Sequence, residues 1–184
     1  MKRKGPWKIL GTRVVYKNPW IAVHEDRVIQ PDEKKSIYGT IDFKSGSTIV
    51  AFDENNRVLL AHEYRYGSHR YSYEAVSGGR EKGETFLAAA KRELAEEAGL
   101  VARKWQSFGY VELPTSIMNF HEYMFLACGL TKTKKSHEGT EVIRLRWFSL
   151  PKALAMVRDG LITHAATILL LHHAAALTQK KVRK

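Results

Sequence analysis

Cysteine, proline and long apolar runs are all scarce in this chain. One cysteine, Cys128, among 184 residues excludes an internal disulfide framework and any CxxC metal site. No low-complexity linker and no internal repeat interrupt the sequence. No apolar run approaches the roughly 20 residues that cross a bilayer; the most apolar stretch, Ala165 to Ala176, is broken by His172 and His173. Behind a basic amino end, Trp7 to Leu10 is too short for the central region of a signal peptide. A cytoplasmic protein with no membrane partner is expected. Acidic residues are also the minority, 19 against 30 basic ones, for a net charge of +11.

That charge is unevenly placed. Lys2, Arg3 and Lys4, with Lys180, Lys181, Arg183 and Lys184, form two end clusters. The remaining 23 basic and 19 acidic residues leave residues 5–179 at +4. The ends read as solvated, partly disordered tails, and nucleic acid is not an expected partner. A mildly basic body suits an anionic substrate. Apolar residues at 44% and charged residues at 27% are the balance of a globular domain.

Residues 8–16, 20–30 and 36–43 read as strands separated by Asn18-Pro19 and the charged turn Pro31 to Lys35. Residues 1–45 therefore form an N-terminal antiparallel β unit, too small to bury a core alone. Residues 46–179 form a second domain, and 180–184 a basic tail. In that domain 48–52, 58–64, 105–113, 120–127 and 142–148 read as strands, and 85–98, 151–157 and 163–177 as helices. This irregular alternation indicates an α+β class, a mixed sheet between helix layers in an α/β/α sandwich.

The helix over 85–98 carries the chemistry. At about 100° per residue, Leu87, Ala90 and Ala98 fall within roughly 40° of Leu94, an apolar stripe that docks on a sheet. Glu93, Glu96 and Glu97 occupy an adjacent arc. Glu93 and Glu97 are one turn apart, where like charges repel, in the last turns, where the helix dipole disfavours anions. Arg92 pairs with Glu96 one turn on but does not neutralise all three. Oxygen-only ligands favour Mg²⁺ or Mn²⁺ over zinc. On the carboxylates alone, a solvated acidic helix face is an equally good reading. Elsewhere, Trp20, Tyr38 and Phe43 are candidate nucleobase stackers or strand packing, and His172-His173 reads as one partly buried and one surface histidine.

The wider spacing resembles the Nudix box, G-x5-E-x7-R-E-U-x-E-E-x-G-U with U aliphatic. It runs without departure through Gly78, Glu84, Arg92, Glu93, Leu94, Glu96, Glu97, Gly99 and Leu100. The resemblance implies the Nudix fold and divalent-metal hydrolysis of a nucleoside diphosphate linked to another group. Carried over residue by residue, it implies metal ligation by Glu93 and Glu97, with Glu96 sharing or bridging and the Ser77 carbonyl completing the shell. Arg92 and Glu84 become orienting residues.

Features outside the box resemble the ADP-ribose and nucleoside-diphosphate-sugar pyrophosphatases. They are Tyr16 to Trp20, Glu63-Tyr64-Arg65-Tyr66, Glu74 four residues before the box glycine, and Met156 to Ile162. The resemblance implies a homodimer whose N-terminal units cross, with Arg65, Glu74 and Trp20 on the substrate. Two departures stand out: Glu74-Ala75-Val76-Ser77-Gly78 replaces the branch's Glu-x-Pro-Ala-Gly, and Leu113 to Asn119 lacks its glycine and carboxylate. A broad preference for nucleoside diphosphate sugars of the ADP-ribose or GDP-mannose type is therefore expected. The general base is placed on the loop before the last strand, Glu141 ahead of Glu138. The alternatives are a Nudix pyrophosphatase acting on nucleoside triphosphates or capped RNA, and a non-catalytic nucleotide-sugar binder.

Overall fold

The computed structural model describes residues 2–134 and 143–182. In chain order the elements are β1 (Lys2–Lys4), β2 (Trp7–Lys17), β3 (Ile21–Ile29), β4 (Lys35–Phe43), β5 (Gly46–Ala51) and β6 (Arg57–Arg65). After a single 3₁₀ turn at Tyr66–Ser68 come β7 (Arg70–Glu74), β8 (Val76–Gly79), α1 (Phe86–Ala98) and β9 (Leu100–Val111). The chain continues with β10 (Met118–Asn119), β11 (Glu122–Lys132), β12 (Arg144–Ser149), α2 (Leu150–Arg158) and α3 (Ala165–Val182). Among the described residues no helix is long and apolar enough to cross a membrane.

Two compact units result. The first comprises Met1–Ser45 with Glu112–His121. Its sheet runs β1-β2-β3-β4-β10, antiparallel except for β10, which lies parallel to β4. The Leu113–Asn119 loop thus belongs to this unit, where the Tyr38 hydroxyl donates to the Ser116 carbonyl at 2.6 Å. One expectation is corrected here. Lys2, Arg3 and Lys4 are not a disordered tail but pair in register with Trp7 to Ile9. A buried carboxylate engages this strand. Asp26 accepts hydrogen bonds from the Thr12 hydroxyl and from Lys4 Nζ, and these outweigh burial and hold its pKa below the usual carboxylate value. A buried anion demands such partners, and Lys4 supplies the charge.

The second unit holds a four-stranded mixed sheet, β8-β5-β11-β9, and a three-stranded antiparallel sheet, β12-β6-β7. Its strands Thr48–Ala51, Val58–Ala61 and Met124–Ala127 are continuous buried runs, as strands covered on both faces require. Successive side chains serve opposite cores. Ile49, Leu59 and Phe125 pack in the cluster containing Leu94 of α1, whereas Val50, Leu60 and Leu126 pack with Met156 of α2 and Leu170 of α3. The sheets thus lie between α1 and the α2–α3 pair, the α+β architecture read from the sequence. The polar stretch after Arg65 contains β7, and β8 follows at once. Their register is fixed by β6 and β5 rather than by apolar alternation.

Candidate active site

The site begins with how α1 is held. The Thr85 hydroxyl caps its first turn by accepting from the Ala88 amide at 3.1 Å. Gly99, at φ 63°, ends it in the left-handed region by returning its amide to Ala95 and Leu94, a position glycine adopts without strain. Ala89, Ala90 and Leu94 are fully buried against the sheet, and Phe86 stacks on Tyr123 at 3.7 Å between centroids. The docked stripe differs from the expected one at its start. Leu87 is exposed, because Phe86 and Ala89 take the inner positions of the first turn.

Arg92 is the hub of the acidic arc. Its Nε lies 3.1 Å from Glu84 Oε1, and Nη2 lies 3.2 Å from Glu84 Oε2 and 2.9 Å from the Gly79 carbonyl. Nη1 lies 2.7 Å from Glu93 Oε1 and 3.0 Å from Glu96 Oε2. The sequence reading gave Arg92 one partner, Glu96. The guanidinium fork reaches three carboxylates and a carbonyl because Glu84, in the turn before α1, folds back beside it. Burial opposes the charge of Arg92, but the bonds from Glu84 and Glu93 outweigh it and raise its pKa.

Glu93 remains under-compensated. Burial first, then repulsion from Glu96 and Glu84, push its pKa up in spite of Arg92. Its carboxylate lies on the box backbone: a Cβ built on Gly78 would stand 2.0 Å from Glu93 Cδ. Among the described residues no three His, Cys, Asp or Glu side chains converge as a ready-made ion site, since Arg92 binds Glu84, Glu93 and Glu96 itself. In chemistry the oxygen-only set suits a hard divalent cation.

A second charged cluster lies in the same unit. Arg65, at the end of β6, puts Nε 3.0 Å from Glu74 Oε2, and Nη2 bonds both Glu74 and, at 2.7 Å, Glu63. Burial opposes its charge, but Glu74, Glu63 and Glu97 raise its pKa. Glu97 of α1 therefore acts electrostatically on Arg65, joining the two clusters. Beside them Glu122 contacts the Thr48 hydroxyl, and His164 Nε2 stands 3.8 Å from Glu122 Oε2. Sequence reading missed Glu122 and His164. Glu122 opens an apolar strand and His164 precedes an apolar helix, so the signal was a charged residue beside a continuous apolar run.

The structure thus brings Arg65, Glu74, Arg92, Glu93, Glu96 and Glu97 into two linked clusters. Ser77 lies on β8 directly across from Thr48. Trp20 belongs to the first unit and is 65% exposed. Glu138 and Glu141 lie outside the described residues. His172 and His173 are both exposed rather than divided between core and surface, and His173 stacks on Phe108 instead.

Comparison with known proteins bears on the family and the fold. Residues 42–169 match the NUDIX domain family, and residues 7–41 match the nucleoside diphosphate sugar hydrolase N-terminal domain. The CMP-5′-(N-acetyl-N-hydroxy-3-aminopropyl)phosphonate hydrolase of Streptomyces rubellomurinus is 25% identical, covering 84% of this chain and 75% of its own. The ADP-ribose pyrophosphatase of Mycobacterium tuberculosis is 23% identical, covering 88% and 80%. A crystal structure of an ADP compounds hydrolase superposes with a TM-score of 0.85 over 97% of both chains at 18% identity, a likeness of fold.

Proposed function

Because the chain belongs to the Nudix family of hydrolases, we propose that it cleaves the diphosphate bond of nucleoside diphosphate sugars of the ADP-ribose or GDP-mannose type. The products are a nucleoside monophosphate and a sugar phosphate. The observation that carries this reading is the carboxylate cluster of α1, where Arg92 gathers Glu84, Glu93 and Glu96 and the Glu93 carboxylate lies against Gly78, electrostatically linked through Glu97 to the half-buried Arg65. The match of residues 7–41 to the N-terminal domain of nucleoside diphosphate sugar hydrolases points to the same substrate class.

Glu93 and Glu97, with Glu96 and the Ser77 carbonyl, would hold Mg²⁺ or Mn²⁺. When bound, such an ion neutralises the diphosphate and acidifies a water. Arg92 keeps Glu93 and Glu96 in place through its bonds to Glu84 and Gly79. Arg65 offers positive charge to the substrate diphosphate, its plane held by Glu74 and Glu63. Glu141 or Glu138 takes a proton from the attacking water as its oxygen bonds phosphorus and the bridging P–O bond breaks, the bridging oxygen leaving with the other phosphate.

The first unit supports a homodimer. It exposes Val14, Tyr16, Trp20 and Ile37, each more than half accessible, large apolar side chains that a second copy would bury. In that assembly Trp20 would reach substrate.

The test is a Mg²⁺-dependent hydrolysis screen over ADP-ribose, GDP-mannose, a dNTP panel and capped RNA, with Glu97→Gln as control. Preferred turnover of the two sugars, lost in the variant, supports the proposal. Dominance of capped RNA with a steep salt dependence would replace it, and tight sugar-nucleotide binding without phosphate release would identify a binder.

A further inference from the structure

Two carboxylates at the active-site end of the second unit come from different sheets. Glu74 ends β7 of the three-stranded sheet, and Glu122 begins β11 of the four-stranded one. Both are nearly buried, with side chains 7% and 12% exposed. Between them stands His164, on the connection that leads into α3. Its Nδ1 lies 4.0 Å from Glu74 Oε2 and its Nε2 lies 3.8 Å from Glu122 Oε2. The ring is located from its own side as well: Nδ1 is 3.0 Å from the Thr167 hydroxyl, which accepts the Ala75 amide at 3.0 Å.

The position matters because the two halves of the candidate site rest on different sheets. Arg65 and Glu74 belong to the three-stranded sheet. Glu93 and Glu97 ride on α1, which packs against the four-stranded one. Whatever ties Glu74 to Glu122 also sets the reach from Arg65 to the α1 carboxylates.

We propose, on the strength of the hydrolase reading above, that His164 in its imidazolium form is a positioning residue that clasps Glu74 to Glu122 and so fixes Arg65 relative to Glu93 and Glu97. The charge balance supports it. Glu74, Glu63 and Glu97 already share Arg65, whereas Glu122 is served first by His164 and the Thr48 hydroxyl and only last by the charge of Arg65. Burial and Arg65 oppose the imidazolium, as does the amino end of α3, but Glu122 and Glu74 outweigh them and raise the His164 pKa. Arg70 adds a further positive charge beside this segment, donating to the Thr163 hydroxyl at 2.7 Å. Deprotonation leaves two buried carboxylates to compete for Arg65, and the clasp opens.

The experiment compares wild type, His164→Gln and His164→Lys on ADP-ribose across pH 5.5–9.5, with kcat and KM separated. The expected His164→Gln loss is about 10- to 100-fold in kcat/KM where wild-type His164 is protonated, the scale of a small misplacement. It shrinks towards none at high pH, and His164→Lys retains activity where His164→Gln does not. A loss equal at every pH, or no loss, overturns the proposal. NMR of the His164 ring and the Arg65 Nε–H supplies a readout that survives failure of the substrate assignment. The two signals should share one titration midpoint, lowered in Glu122→Gln. A midpoint indifferent to Glu122, or an Arg65 signal that does not follow it, overturns the clasp even if hydrolysis is normal. A shared midpoint in a protein that does not hydrolyse ADP-ribose overturns only the substrate.

Discussion

Gly78 and Glu93 meet so closely that a β-carbon on the glycine would stand 2.0 Å from the glutamate carboxyl carbon. The requirement for glycine is therefore not one of backbone conformation. It reserves space for a carboxylate that has to lie on the strand–helix turn.

Gly78→Ala should leave the protein folded and impair turnover. The atom struck is the far end of a flexible side chain, so Glu93 swings away at little cost to the fold. Circular dichroism should match wild type while Mg²⁺-dependent hydrolysis falls by at least about tenfold. Gly78→Ala combined with Glu93→Ala should be no worse than Glu93→Ala alone, because both act through one carboxylate. Additive losses would show that Gly78 serves something else.

Arg92→Lys should be nearly as damaging as Arg92→Ala. One ammonium cannot reproduce the fork that reaches Glu84, Glu93, Glu96 and the Gly79 carbonyl. A residue that orients ligands rather than binding the ion typically costs about 10- to 100-fold. The loss should appear as weaker Mg²⁺ activation, measured as the concentration giving half-maximal rate. Unchanged Mg²⁺ dependence would place Arg92 outside the ligand-orienting set.

The strength of the local signals explains what the sequence made legible. Thr85 and Gly99 bracket a helix rich in Ala, Leu and Glu, so α1 and its acidic arc follow from capping and periodicity. The doubly buried strands around Ile49, Leu59 and Phe125 show as apolar runs. Three things stayed hidden because their cause is non-local. Lys2–Lys4 pairs with β2 while Lys4 meets Asp26, a buried carboxylate 22 residues further on. β7 and β8 are polar because they border the charged site, so alternation does not reveal them. His164 meets Glu74 and Glu122 only after the two sheets are laid together, and no spacing between those residues encodes it.

Stability should depend on pH through that same histidine. The His164 pKa is raised above its ordinary 6.5, so its contribution is complete below 6.5 and lost as pH rises through the folded value. The Glu122 pKa is lowered beneath its ordinary 4.5, so its contribution is complete above 4.5 and lost as pH falls through the folded value. The difference in Tm between wild type and His164→Gln should therefore be largest between pH 4.5 and 6.5 and narrow on both sides. A difference constant with pH would mean that the variant merely loses the Thr167 contact.

Exposed apolar residues of the first unit make the assembly testable. Ile37→Lys, at a position 64% exposed, removes no core contact and should leave Tm of the monomer close to wild type. Light scattering should show a dimer for wild type and a shift to monomer at micromolar concentration for the variant. If Trp20 serves the site across that interface, KM for ADP-ribose should rise in parallel with dissociation. A wild-type monomer would remove the dimer from the proposal.

The general base is the remaining assignment, and the proposed mechanism puts it on Glu141 or Glu138. A carboxylate that accepts the proton of the attacking water contributes about 10²- to 10⁴-fold to rate. One of Glu141→Gln and Glu138→Gln should therefore lower kcat at least about 100-fold, with KM nearly unchanged because the substituted amide keeps the side chain's size. The other should stay near wild type. The deficient variant should also lose the acidic limb of its pH–kcat profile, since that limb reports protonation of the base. If both variants keep wild-type kcat, the proton goes to a residue of the α1 cluster, and the pH–kcat profile of Glu96→Gln is then the one that should lose its acidic limb.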